Sequence, residues 1–133
     1  MNIELLRKVA KWVEDQESLA TADTHWYQAS WWSRTTEPEE GADGYCGSGM
    51  CVAGVVAHWA GWKPVFTTEY SDVWVADTAT KDGQERHISR IARDELGLDQ
   101  VQADSLFEGD NGAIRIRSLI EEFAATVNQE GTQ

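Results

Sequence analysis

The sequence predicts an α+β domain, predominantly helical, with about five helices packed around a buried central helix at about 48–61 and a small β-hairpin. The first observation behind this is Tyr45–Trp62, YCGSGMCVAGVVAHWAGW, the most apolar stretch of an otherwise polar, acidic chain. At helical spacing Val52, Val55, Val56, Trp59 and Trp62 share one broad face, while Gly47, Cys51, Gly54, His58 and Gly61 share another. A helix apolar on one face and small on the other is buried all round. Glycine inside a helix costs about 1 kcal/mol against alanine, so Gly54 implies close approach by another backbone or a ligand. The second observation is the amphipathic period of the flanking segments, and the third is a pair of short β-like runs just after the apolar stretch.

The first flanking helix runs from Ile3 to about Asp15. Ile3, Leu6, Ala10 and Val13 mark its apolar face, Leu5, Val9 and Trp12 widen it, and Asn2 is placed to cap it. From Ala20 to Arg34, ATADTHWYQASWWSR lacks a helical period and is rich in threonine and aromatics, which suits extended chain. Successive side chains of a strand alternate faces. Trp26, Tyr27, Trp31 and Trp32 therefore cannot all point inward, and some aromatic surface is either exposed, where tryptophan suits an interface, or covered by the loop that follows, with core packing the commoner role for any single one of them. Thr35–Gly44, TTEPEEGADG, is a loop carrying Glu37, Glu39, Glu40 and Asp43.

Beyond the apolar stretch, Gly61 and Lys63-Pro64 stop the central helix. Val65–Thr68 and Val73–Ala76 read as the hairpin, and Asp82-Gly83 as a turn. Gln84 to Leu96 reads as a helix ended by Gly97, followed by a short helix to Phe107 capped by Asp99. Asp110 or Asn111 should cap the last helix, which reaches about Val127 on a stripe of Ile116, Leu119, Ile120, Phe123 and Val127. Residues 128–133 should fray. Residues 1–133 form one domain, a length able to bury a core without disulfides.

The net charge of −12 argues against direct nucleic-acid binding, which needs a clustered basic surface, and against docking on anionic lipid. No apolar run reaches the length needed to span a bilayer. The N-terminal stretch has no apolar signal core, so the expected location is the cytoplasm. Between Arg93 and Arg115 the chain carries Asp94, Glu95, Asp99, Asp104, Glu108 and Asp110 with no base among them. Some of these belong to helix N-termini. The rest form a candidate acidic patch for a basic partner.

Three patterns together carry a resemblance: Cys46-Gly47-Ser48 with Cys51-Val52-Ala53-Gly54, then Ala92-Arg93-Asp94-Glu95-Leu96-Gly97-Leu98, then Ala103-Asp104-Ser105-Leu106-Phe107. Over roughly residues 26 to 120 the chain resembles a group of small uncharacterised proteins from phages of actinobacteria, which share a CG[ST]xxC-x-A-G element and a downstream LGL…LF element. The resemblance implies an accessory phage protein acting inside the host bacterial cell, and it brings no activity with it.

Cys51 is the candidate nucleophile, near a helix N-terminus that favours a thiolate. CGSGMC is faintly similar to the CGSC stretch of papain-like enzymes, but two residues separate Ser48 from Cys51 where that pattern has none. The candidate bases are His58 and His87. His58 lies two turns along, about 10 Å away along the axis. His25, before the tryptophans, would have to arrive through the fold. Cys46 and Cys51 have a spacing that zinc sites use, but too few further ligands accompany them. A disulfide between them is conceivable in geometry and disfavoured in a reducing cytosol.

The function read from the sequence is a non-enzymatic phage accessory protein binding a host protein, for which the acidic patch suits a basic one, through Trp26, Trp31, Trp32, Asp99, Asp104 and Glu108. It needs no cofactor, and it leaves the oligomeric state open. The alternatives are a cysteine-dependent hydrolase or transferase with Cys51 as nucleophile, and an acidic DNA mimic.

Overall fold

The computed structural model describes residues 1–18, 26, 28, 31–34, 48–70 and 73–131. Among them are five helices and two small antiparallel sheets. The helices are α1 (Ile3–Glu17), α2 (Val52–Trp59), α3 (Ile88–Leu96), α4 (Gln100–Leu106) and α5 (Ala113–Gly131). The strands are β1 (Trp32–Arg34), β2 (Ser48–Met50), β3 (Lys63–Pro64), β4 (Thr67–Tyr70), β5 (Val73–Val75), β6 (Thr78–Lys81) and β7 (Gln84–His87). One sheet has the order β2-β1-β5-β4, the other β3-β6-β7. The predominantly helical α+β fold is as the sequence predicts.

The central helix is buried but shorter than 48–61. Every residue from Val52 to Ala57 is buried. Cys51 has extended backbone, φ −74° and ψ 178°. The residues before it form β2, pairing Met50 with Trp32 and Gly49 with Ser33. Glycine and serine are poor helix formers, and a strand partner for 48–50 exists in β1. At its other end α2 closes as expected at Gly61, where φ is +90°. The Trp62 N–H donates to the Ala57 carbonyl and the Gly61 N–H to that of His58, the paired bonds of a Schellman motif.

Gly54 meets what its place on the small-residue face implied. A Cβ built there would lie 2.0 Å from the Trp31 carbonyl oxygen. The Cys51 thiol, one turn before, lies 3.9 Å from the same oxygen. One turn after, the His58 ring packs edge-on against Trp32 at 5.7 Å. The small face of α2 is thus the bed on which the chain crosses at Trp31 and Trp32.

Around this pair the other helices complete one core. On α1, Leu6, Val9, Trp12 and Val13 are buried, and the Asn2 side chain accepts the Leu5 N–H. On α5, Ile116, Leu119, Ile120 and Phe123 are buried as the stripe requires. Helix α4 begins with a capping box: the Asp99 carboxylate accepts the Gln102 N–H, and the Gln102 side chain accepts the Asp99 N–H. Gly97, at φ +68°, closes α3.

Two segments depart from the sequence reading. Residues 84–87 are strand, because Asp82 (φ 52°) and Gly83 (φ 81°) make a two-residue turn that folds them back on β6. Left-handed backbone at both central positions matches the twist of a hairpin. Helix α3 therefore starts at Ile88, capped by His87. Asn111 does not cap α5; its amide donates to the carbonyls of Ser105 and Leu106 at 2.7 and 3.1 Å and so serves the end of α4. The last carbonyls of a helix need donors from outside it. Helix α5 continues through Gly131, past Asn128.

Gly54→Ala should cost about 2–3 kcal/mol in chemical unfolding, although alanine favours a helix by about 1 kcal/mol. A stability equal to or above wild type would show that Trp31 does not lie against α2.

Candidate functional site

The described surface carries a groove of about 410 Å³ between α3 and α4, lined by Trp31, Arg90, Arg93, Asp104, Phe107 and Glu108, with Ser89, Gln100 and Ala103. Its aromatic part comes from two distant segments. Trp31 stands edge-on to Phe107 at 6.2 Å and to His87 at 5.3 Å. Edge-to-face contacts of this kind fix ring orientation. Its polar part comes from the two helices, with arginines on α3 and carboxylates on α4 or just after it.

A buried amide sets the spacing of these parts. Gln28 is 8% exposed. Its Nε2 donates to the carbonyls of Leu106 and Glu108 at 3.2 and 3.1 Å. Its Oε1 accepts from the Trp26 indole N–H at 3.1 Å and the Val52 N–H at 3.3 Å. The bond to Val52 satisfies an orphan donor of α2, since Cys51 makes no side-chain cap. Gln28 so ties the start of α2 to the end of α4. The sequence reading missed it, because a glutamine among tryptophans looks like any surface polar residue.

The residues expected to bind a partner separate into groups. Trp31, Asp104 and Glu108 converge on the groove. Trp32 is fully buried and belongs to the core, so it cannot present its ring to a partner. Trp26 is half-buried, with its indole N–H committed to Gln28. Asp99 is occupied in capping α4 and does not line the groove. Arg90 and Arg93, which the reading of a purely acidic patch left out, share the groove with the acids. The loop acids Glu37, Glu39, Glu40 and Asp43 lie outside the described residues, as do Cys46 and His25.

The chemistry offered to a nucleophile is poor. Cys51 is a free, buried thiol. Burial pushes it up from 9.0 to about 11, outweighing the N–H groups of Gly54 and Ala53 that pull the other way. It is therefore protonated at neutral pH, whereas a nucleophilic cysteine needs thiolate. His58 is packed on Trp32. His87 uses Nδ1 to accept the Ser89 N–H at 3.1 Å, so the end of its ring that would act as a base is engaged in capping. Among the described residues no group of three or more His, Cys, Asp or Glu is placed to hold a metal. No described helix is long and apolar enough to cross a membrane.

No family model matches the chain, and no curated protein or solved structure is significantly similar to it.

Gln28→Leu should cost about 1–3 kcal/mol, because it keeps the volume but removes the acceptor of the buried Val52 N–H and one of the donors to the Leu106 and Glu108 carbonyls. A loss below about 0.5 kcal/mol would place Gln28 outside the core. For Cys51 the sign follows from proton counting. Between pH 9.0 and about 11 the unfolded thiol has lost its proton while the folded one keeps it. Stability should therefore fall with rising pH in that window, by about 1.4 kcal/mol per unit, and level off outside it. The same titration on Cys51→Ala should lack this component. An identical profile in both proteins would mean the thiol is solvated.

Proposed function

We propose that this chain is a non-enzymatic accessory protein of an actinobacterial phage that binds a host protein, with the α3–α4 groove as its binding surface. One observation carries the reading: Trp31 and the acids Asp104 and Glu108, far apart in the chain, line a single groove. Interface hot spots combine an aromatic anchor in a concavity with charges at its rim, and this groove has both. Charge on the rim steers and selects, while the aromatic area holds. The protonated, buried Cys51 ranks the hydrolase or transferase reading below it. Arg90 and Arg93 among the acids rank the DNA mimic below it, since a phosphate-like surface has no reason to hold guanidinium groups. The phage origin rests on the resemblance carried by Cys46 to Gly54, Ala92 to Leu98 and Ala103 to Phe107.

Immobilised wild-type protein and two variants, Trp31→Ala and Asp104→Asn/Glu108→Gln, are exposed to lysate of an actinobacterial host at low and high salt. A host protein should be retained by wild type and lost about thirtyfold by Trp31→Ala, the effect of removing a hot-spot aromatic. The amide variant should retain it with weaker salt dependence. Retention equal in all three would exclude the groove as the binding surface.

A further inference from the structure

We propose that the occupant of the α3–α4 groove is a charge-paired peptide segment of the partner, with an acidic residue against Arg90, an apolar side chain on Trp31 and Phe107, and a basic residue against Glu108. This rests on the groove being the binding surface, and it differs from the basic partner that a net charge of −12 suggests.

The polar groups of the groove are of two kinds. Arg93 donates through Nη1 to Gln100 Oε1, and its Nε lies 3.7 Å from Asp94. Gln100 Nε2 in turn donates to Asp104 Oδ1 at 2.6 Å. Arg93, Gln100 and Asp104 thus make a strap from α3 to α4, each bonded to a neighbour within the fold. Arg90 and Glu108 are exposed. Among the described residues neither side chain has a hydrogen bond or an ion pair, and they do not pair with each other. They project from the two sides of a groove that the Trp31 and Phe107 rings also line.

Such an arrangement selects by sign. A uniformly basic segment gains at Glu108 and is repelled at Arg90 and Arg93. A uniformly acidic one gains at Arg90 and is repelled at Glu108 and Asp104. Only an occupant with both signs satisfies both sides, and like charges brought together are an effective means of rejecting a wrong partner. The volume of about 410 Å³ suits one large apolar side chain with its flanking backbone.

The test is selection from a displayed library of random peptides on wild-type protein, with counter-selection on the Arg90→Glu/Glu108→Arg variant. Both positions are exposed, so the fold should survive the exchange; equal melting temperatures check this. The retained sequences should carry an acidic and a basic residue flanking an apolar one. Synthetic versions should lose about fivefold in affinity on Arg90→Glu and again on Glu108→Arg, the effect of an exposed ion pair. Peptides with the two charges exchanged should prefer the double variant. Retained peptides that are uniformly basic, yet weakened by Trp31→Ala, would overturn the charge pairing and leave the groove as the binding surface. Peptides displaced by free leucine at millimolar concentration would replace a peptide occupant by a small zwitterion. If no retained peptide distinguishes wild type from Trp31→Ala or from the double variant, the inference and the proposed binding surface both fall.

Discussion

The contact between the Trp31 carbonyl and the bare face of α2 at Gly54 is the constraint on which the rest of the molecule depends. No side chain stands between the two backbones, so their separation is set by van der Waals radii alone. Cys51 and His58, one turn to either side, extend the contact to Trp31 and Trp32. From there β1 pairs with β2 on one side and β5 on the other. The position of the first sheet relative to the central helix follows. Trp32, the first residue of β1, puts its ring into the core, and Trp31, at the bend just before it, turns its ring toward Phe107 and the groove. One tryptophan is thereby buried in the core while its neighbour lines the groove.

Gln28 is the second clamp and works through hydrogen bonds instead of packing. Its amide faces two carbonyls at the end of α4 and, on the other side, an N–H of α2 and the Trp26 indole. This arrangement leaves no ambiguity about which end of the amide is nitrogen. Phe107 and Glu108 follow directly on α4, so the clamp that registers α4 against α2 also registers the groove wall against Trp31. The groove and the core are therefore coupled through Gln28.

What could be read from the chain alone follows from how local each signal is. Asn2, Asp99, Gly61 and Gly97 act within a turn of where they stand, and each does in the structure what its residue type implied. The apolar stripes of α1 and α5 are periodic and equally legible. Gly54 announced a close approach, although its partner, more than twenty residues earlier, had no local mark. The strand at 84–87 was hidden because Gln84-Glu85-Arg86-His87 is exposed throughout and carries no apolar alternation; only the Asp82-Gly83 turn betrays it. The roles of Trp26, Trp31 and Trp32 are likewise unreadable, since three similar residues on an aperiodic stretch differ only in what the rest of the fold brings to them.

The acidic run between Arg93 and Arg115 shows why linear charge counting misleads at a site. Read along the chain it is a block of one sign. In space Asp94 lies beside Arg93, Asp99 is spent on a helix cap, and Asp104 is bonded to Gln100. The turn at Gly97 folds α4 back toward α3 and sets Glu108 in one groove with Arg90 and Arg93. Net charge and local charge then act at different ranges. The −12 of the whole chain sets a field that is felt over roughly a Debye length, about 8–10 Å, and biases encounter toward basic molecules. Within contact distance the groove presents both signs, Arg90 and Arg93 beside Asp104 and Glu108, so the sign of the whole chain does not carry over to it.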